Sequence, residues 1–145
     1  MQGEQEVDPT FLQRAEREPE DFQAQLEAAY ACDRAGHEER AIGYYEAAYR
    51  LGFPEGFERA GFLLGFGSTL KNVGRLAESE AILRDALAGE VETDALGLFL
   101  ALTLQAQGRH HEALAQALEV CLQHPSPSVA RYSRALREYI SELRG

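Results

Sequence analysis

Residues 100–125 read LALTLQAQGRHHEALAQALEVCLQHP, and residues 64–88 read LGFGSTLKNVGRLAESEAILRDALA. Set one above the other, Ala101, Gly108, Ala113 and Val120 fall on Gly67, Gly74, Ser79 and Ala86. The steps are seven, five and seven residues in both. A third stretch, YACDRAGHEERAIGYYEAAYRLG at residues 30–52, repeats the steps from the preceding residue: Ala29, Gly36, Ala41 and Ala48. The second and third sets lie 34 residues apart and the first and second 38, with glycine at every second position. Self-similarity at such a period is the signature of an array of repeated supersecondary units.

Glycine ends a helix because it enters the left-handed region without steric cost. The chain then turns back, and small residues on the facing stripes let two antiparallel helices approach closely. The punctuation therefore predicts helices 1A (Pro19 or Asp21 to Ala35) and 1B (His37–Arg50). It predicts 2A (Glu55–Val73, with Pro54 in its first turn), 2B (Arg75–Ala88), 3A (Thr93 or Asp94 to Gln107) and 3B (Arg109–Gln123). Ser126-Pro127 reads as N-cap and first-turn proline of a last helix reaching Leu143. A short helix at Thr10–Arg17 is weakly signalled. In 3B, Ala113, Leu114, Ala117, Leu118, Cys121 and Leu122 form one apolar stripe. Helix 3A is apolar nearly all round, as a helix with neighbours on several sides would be. The last helix is expected to bury Val129, Tyr132, Leu136, Ile140 and Leu143 and to solvate the end of the stack as a cap.

The fold class is thus all-α. Residues 1–18 form an acidic N-terminal tail with that short helix, and residues 19–145 a single domain. Its repeats lie at about 22–55, 60–93 and 94–127, and its cap helix at 127–143.

An apolar fraction of 45% and a charged fraction of 26% suit a soluble globular chain of 145 residues. The net charge of −10 repels polyanions and anionic bilayers, which argues against nucleic-acid and membrane partners. The charge is uneven. Residues 1–21 hold seven acids against Arg14 and Arg17, while residues 126–145 hold four arginines against Glu138 and Glu142. Two readings stay open, a solvated tail and cap or head-to-tail attraction between molecules. Cys32 and Cys121 have no paired spacing and read as buried small hydrophobes. The start, MQGEQEVDPT, lacks the apolar run of a signal peptide, and no stretch nears the ~18 apolar residues of a membrane span, so a cytoplasmic location is expected.

The three quoted stretches resemble tetratricopeptide repeats, in particular the bacterial group 5 domains. The small residue, glycine, Ala or Ser, Tyr45 or Leu83, small residue and late Pro125 carry the likeness, over roughly residues 20–145. Gln25 and Cys32 stand where the pattern has a first-helix Trp and Tyr, and the linker before the second repeat is four residues longer. The resemblance implies a right-handed α-solenoid of three helical hairpins plus a C-terminal capping helix. It also implies a non-catalytic adaptor or scaffold, whose A helices line a groove for a peptide or helix of a partner protein. By this alignment the groove shows Leu26, Tyr30, Leu64, Ser68, Lys71, Asn72, Leu98, Leu102 and Tyr132, with Leu136 from the cap. Leu26, Tyr30, Gly65, Ala95 and Phe99 occupy the sites where a chaperone carboxylate clamp needs Lys and Asn, so binding of chaperone tails is rejected. The greasy face fits an apolar peptide or amphipathic helix, or alternatively a second copy in a homodimer, and equally suits a closed core.

Other chemistry has thin support. Gly61, Gly65 and Gly67 together cost helix 2A roughly 3 kcal/mol against Ala, to be offset by close packing, or, at Gly61 and Gly65 on one face, by the close approach of a ligand or another helix. GFGSTLK lacks the order of a phosphate loop. His110 and His111 are adjacent, so on a helix they diverge by about 100° and share a metal poorly. Tyr44, Tyr45 and Tyr49 read as core and rim packing. No Ser/His/Asp or Cys/His set has context, so no enzyme activity, cofactor or metal is expected.

Overall fold

The computed structural model describes residues 5–89 and 94–145. The expected start of helix 3A at Thr93 lies outside the described residues. Among the described residues there are nine helices and no strand: α1 (Pro9–Arg17), α2 (Phe22–Arg34), α3 (Glu38–Leu51), α4 (Arg59–Asn72), α5 (Leu76–Ala88), α6 (Asp94–Ala106), α7 (His110–Gln123), α8 (Pro127–Arg131) and α9 (Ser133–Arg144). Internal contacts divide the chain into two compact units. One runs up to Arg59 and includes Asn72–Gly74; the other comprises Ala60–Lys71 and everything from Arg75.

The glycine spacing has a direct structural cause. Gly36, Gly74 and Gly108 sit at φ +84°, +87° and +79°, each just past a helix end. After each, the amide N–H donates back to a carbonyl five residues earlier: His37 to Cys32 at 2.9 Å, Arg75 to Leu70 at 2.9 Å and Arg109 to Leu104 at 3.0 Å. This closes the helix C-terminus as a Schellman motif and aims the chain back along itself. The next helix starts identically in all three places, with Ala41, Ser79 and Ala113 donating to the carbonyls of His37, Arg75 and Arg109. The small residues of all three sets are buried: Ala29, Ala41 and Ala48; Gly67, Ser79 and Ala86; Ala101, Ala113 and Val120.

In the first unit α2 pairs with α3, and α1 packs on α2. The expected acidic tail thus carries a docked helix. Asp8 caps α1 by accepting the Thr10 N–H at 2.9 Å, and Ala15 is buried. Gln25, at the departure from the repeat pattern, is 4% exposed and donates to the carbonyls of Ala15 (3.0 Å) and Glu18 (3.2 Å). Its amide satisfies the end of α1 where an aromatic ring could only fill space. Arg14 adds ion pairs to Glu18 and Glu27. Before α4, Phe22 meets Phe53 and Phe57 edge-on, the latter two stack, and Arg59 lies 5.1 Å over the Phe53 ring.

In the second unit α4 and α5 interlock at Gly67 and Leu83, α5 packs on α6, α6 on α7, and α7 on α9. Ser79 ties three helices together. Its buried hydroxyl donates to the Gly67 carbonyl of α4 at 2.7 Å and shares a 3.0 Å hydrogen bond with Thr103 of α6.

Four expectations change. Helix 2A does not begin at Glu55: Pro54 accepts a turn hydrogen bond from Phe57, Gly56 adopts φ +79°, and the helix starts at Arg59. The last helix is two helices, interrupted at Tyr132, whose ring is 60% exposed instead of buried. The 3B stripe is split. α7 is gripped by α6 through Val120, against Gly97, and by α9 through Ala115 and Leu122, so Leu114 and Cys121 are left facing water. Cys32 alone of the two thiols is a buried hydrophobe, and burial pushes its pKa up.

Candidate interaction surface

Of the residues expected to line a groove, Leu26, Tyr30 and Asn72 belong to the first unit. Leu26 and Tyr30 are one turn apart on α2, but their surroundings differ. Leu26 is 5% exposed and contributes to the core. Tyr30 is half-buried, meets Tyr45 edge-on at 6.1 Å, and lines a recess of about 330 Å³ with Asp33 and Arg34. Burial, and then the negative charge of Asp33, raise the Tyr30 phenol pKa, so it stays a neutral donor at pH 7. Tyr45 beneath is buried and donates to Asp33 at 2.8 Å. Asn72 donates to the Glu38 carboxylate at 3.1 Å.

The remainder belong to the second unit. Leu64, Ser68 and Lys71 follow at steps of four and three, hence on one side of α4, and all are half-buried. On α6, Leu96, Gly97, Leu100, Ala101, Thr103 and Leu104 are buried. A 100° turn per residue carries Leu98 and Leu102 to the opposite side, where they are 44% and 50% exposed. The two leucines, one turn apart, form an apolar ridge facing water.

The ridge has a rigid backing. A Cβ at Gly97 would lie 2.6 Å from Val120 Cγ2, so α6 and α7 touch through a glycine that the repeat pattern does not single out. Glu80 of α5 accepts from Arg84, from Gln107 at 3.1 Å and from Arg109 at 2.7 Å, fastening α5 to the α6–α7 turn. Partial burial opposes the Glu80 charge, but these donors outweigh it and hold its pKa below the ordinary value. Arg109, hydrogen-bonded first to Glu112, is pushed upward.

Reading the sequence did not find this network, because its partners come from three elements. Nor did it find Tyr139, 59% exposed, although the step of seven from Tyr132 was a usable signal. Among the described residues no three His, Cys, Asp or Glu side chains gather as metal ligands, and His110 and His111 are exposed at the start of α7. Among them, too, no helix is long and apolar enough to cross a membrane.

Neither curated proteins nor solved structures yield a match. A family model described as Tetratrico peptide repeat matches residues 22–143, which takes in α2 to α9 up to the last turn. Repeats of this kind generally mediate protein–protein interaction and are typically non-catalytic. With three glycine-closed helical hairpins inside the matched segment, the chain belongs to the tetratricopeptide repeat family.

Proposed function

We propose that the chain is a non-catalytic adaptor that holds an apolar peptide segment or amphipathic helix of a partner protein. The observation that carries this reading is the ridge of Leu98 and Leu102 on α6, half-exposed over a tightly packed α6–α7 pair. Large apolar side chains in register on one helix offer the i, i+4 anchor that a helix or extended peptide covers well. Covering both contributes roughly 1.5–3 kcal/mol gross, taking about half of the full burial of a leucine for each. That suffices for selectivity only with further contacts, for which Leu64, Ser68 and Lys71 on α4 of the same unit are the candidates.

The test is capture from cell lysate by the immobilised chain. Leu98→Glu with Leu102→Glu should release the partner while far-UV circular dichroism stays unchanged. Leu114→Glu on α7, a leucine of equal exposure at 51%, should retain it. Equal capture by all three proteins would remove the ridge from consideration. Self-association through the ridge, the alternative, would appear as a concentration-dependent mass that the double variant loses.

A further inference from the structure

The last helix carries a second uncovered surface, unlike the first in composition. Tyr132, Leu136, Tyr139 and Leu143 recur at steps of four, three and four, which sets them along one side of α9. Leu136 and Leu143 lean on the buried cluster of Ala115, Leu122 and Ile140 and are half-covered by it. Tyr132 and Tyr139 stand out at 60% and 59% exposure. Beside them Arg131, Arg134 and Arg137 are exposed, and among the described residues Arg134 meets only Glu138, at 3.7 Å with its side chain 95% exposed. The result is an aromatic stripe with a basic flank on a chain whose net charge is −10.

The chain also displays the complementary surface. Around α1, Glu6, Asp8, Glu16, Glu18 and Glu20 are exposed. Arg14 is already engaged by Glu18, Asp21 and Glu27, and among the described residues Arg17 and Arg34, the latter beside Glu6, Asp8 and Phe11, are the exposed cations there. On the same helix Phe11 and Leu12 are half-buried on either side of the buried Ala15, and Phe11 lines a recess with Glu6 and Asp8, so apolar surface borders the acidic groups. We infer that the α9 stripe of one molecule docks on the α1 surface of a second copy, tyrosines against Phe11 and Leu12, arginines against the acidic rim.

The two faces differ, so the contact is heterologous: each dimer keeps one free face of each kind, and assembly continues unless the rotation closes a ring. About three fifths of each tyrosine is left to cover, so the two bury roughly 90–150 Å² each. The interface therefore falls at the low end of the size range, below about 1,200 Å², and association is reversible. Exposed charges supply the orientation and are screened beyond a Debye length of about 10 Å at 0.1 M salt. The contact does not involve the α6 ridge, so it stands or falls separately from the proposed adaptor function.

Sedimentation of the full chain tests this with two blocked variants. One carries Tyr132→Ser, Tyr139→Ser and Arg134→Glu; the other carries Glu6→Lys, Glu16→Lys and Glu20→Lys and spares the helix cap Asp8. The wild-type mass should rise with concentration at low salt, with dissociation about tenfold easier near 0.3 M salt. Each variant alone should stay monomeric, and an equimolar mixture should stop at a one-to-one dimer. Wild type monomeric at all concentrations overturns the inference, as does self-association of either variant alone, the mark of a symmetric contact. Mixtures that remain monomeric while circular dichroism shows both variants folded also overturn it. Should the triple tyrosine-face variant unfold, Tyr139→Ser alone serves, with weaker wild-type-like association expected and unchanged association refuting. Leu98→Glu with Leu102→Glu should leave this assembly intact.

Discussion

Two glycines of α4, six residues apart, should respond to alanine with opposite signs. At Gly67 an added Cβ would meet Leu83 Cγ at 2.7 Å and Cδ2 at 2.8 Å. Carbon atoms in good contact lie about 3.5–4.0 Å apart, so Leu83 must retreat by roughly 0.7–1 Å. It has no room to do so. Leu83 is fully buried, and the nearest atom is its branch carbon, which moves only with the whole side chain or the helix. Alanine gains about 1 kcal/mol in helix propensity, and overpacking of this kind costs about 1–3 kcal/mol. The forced movement of a branch carbon puts the cost in the upper part of that range, so Gly67→Ala should destabilise by about 1–2 kcal/mol. At Gly61 nothing lies within 4 Å of the added carbon and the backbone is ordinary helix. Gly61→Ala should therefore stabilise by about 0.5–1 kcal/mol. Urea denaturation followed by far-UV circular dichroism reads both. Leu83→Ala provides the control: it opens a cavity at a cost of about 2–5 kcal/mol, and Gly67→Ala added to it should now stabilise. If Gly67→Ala stabilises as much as Gly61→Ala in the wild-type background, the two helices are not interlocked at this point, and the account of the α4–α5 hairpin fails.

Ser79→Ala should destabilise by about 1–3 kcal/mol, because it deprives the buried Thr103 hydroxyl of the partner that the hydrogen bonds show for it. Adding Thr103→Val should recover part of that loss in a double-mutant cycle, whereas strict additivity in urea midpoints would mean that the hydroxyl pair is energetically idle. Glu80 makes stability depend on pH in a known direction. Its pKa is lowered in the folded chain, so its contribution is complete above the ordinary glutamate value of about 4.3 and is lost as pH falls through the lowered one. The urea midpoint of Glu80→Gln should thus lie below that of wild type at pH 7 and converge on it towards pH 3; curves that stay parallel would show that the Arg84–Gln107–Arg109 contacts do not bias the carboxylate.

What could be read from the sequence, and what could not, divides by how far the cause of a feature lies along the chain. The hairpin turns were legible because their chemistry is local. A glycine in the left-handed region, an amide reaching back five residues and a small residue five positions on are all contained in about twelve residues, and Gly36, Gly74 and Gly108 each state the motif in full. The docking of α1 was not legible, since a glutamine in a repeat that favours an aromatic looks like a defect until Ala15 and Glu18 are seen to need its donors. The candidate surface is harder still. Leu26, Leu64, Leu98 and Tyr132 share a role by alignment, yet Leu26 is 5% exposed and Tyr132 60%. Periodicity fixes the direction of a side chain on its own helix, but whether a neighbour stands there is decided by residues one or two helices away. On α7 that neighbour is α9, and its arrival divides an apparently continuous stripe into buried Leu122 and exposed Leu114. The same reasoning gives exposure its value as evidence. An apolar residue such as Leu98, uncovered by its own neighbours while Leu96 and Leu100 on the same helix are fully buried, is where the proposed adaptor role is most directly put to the test.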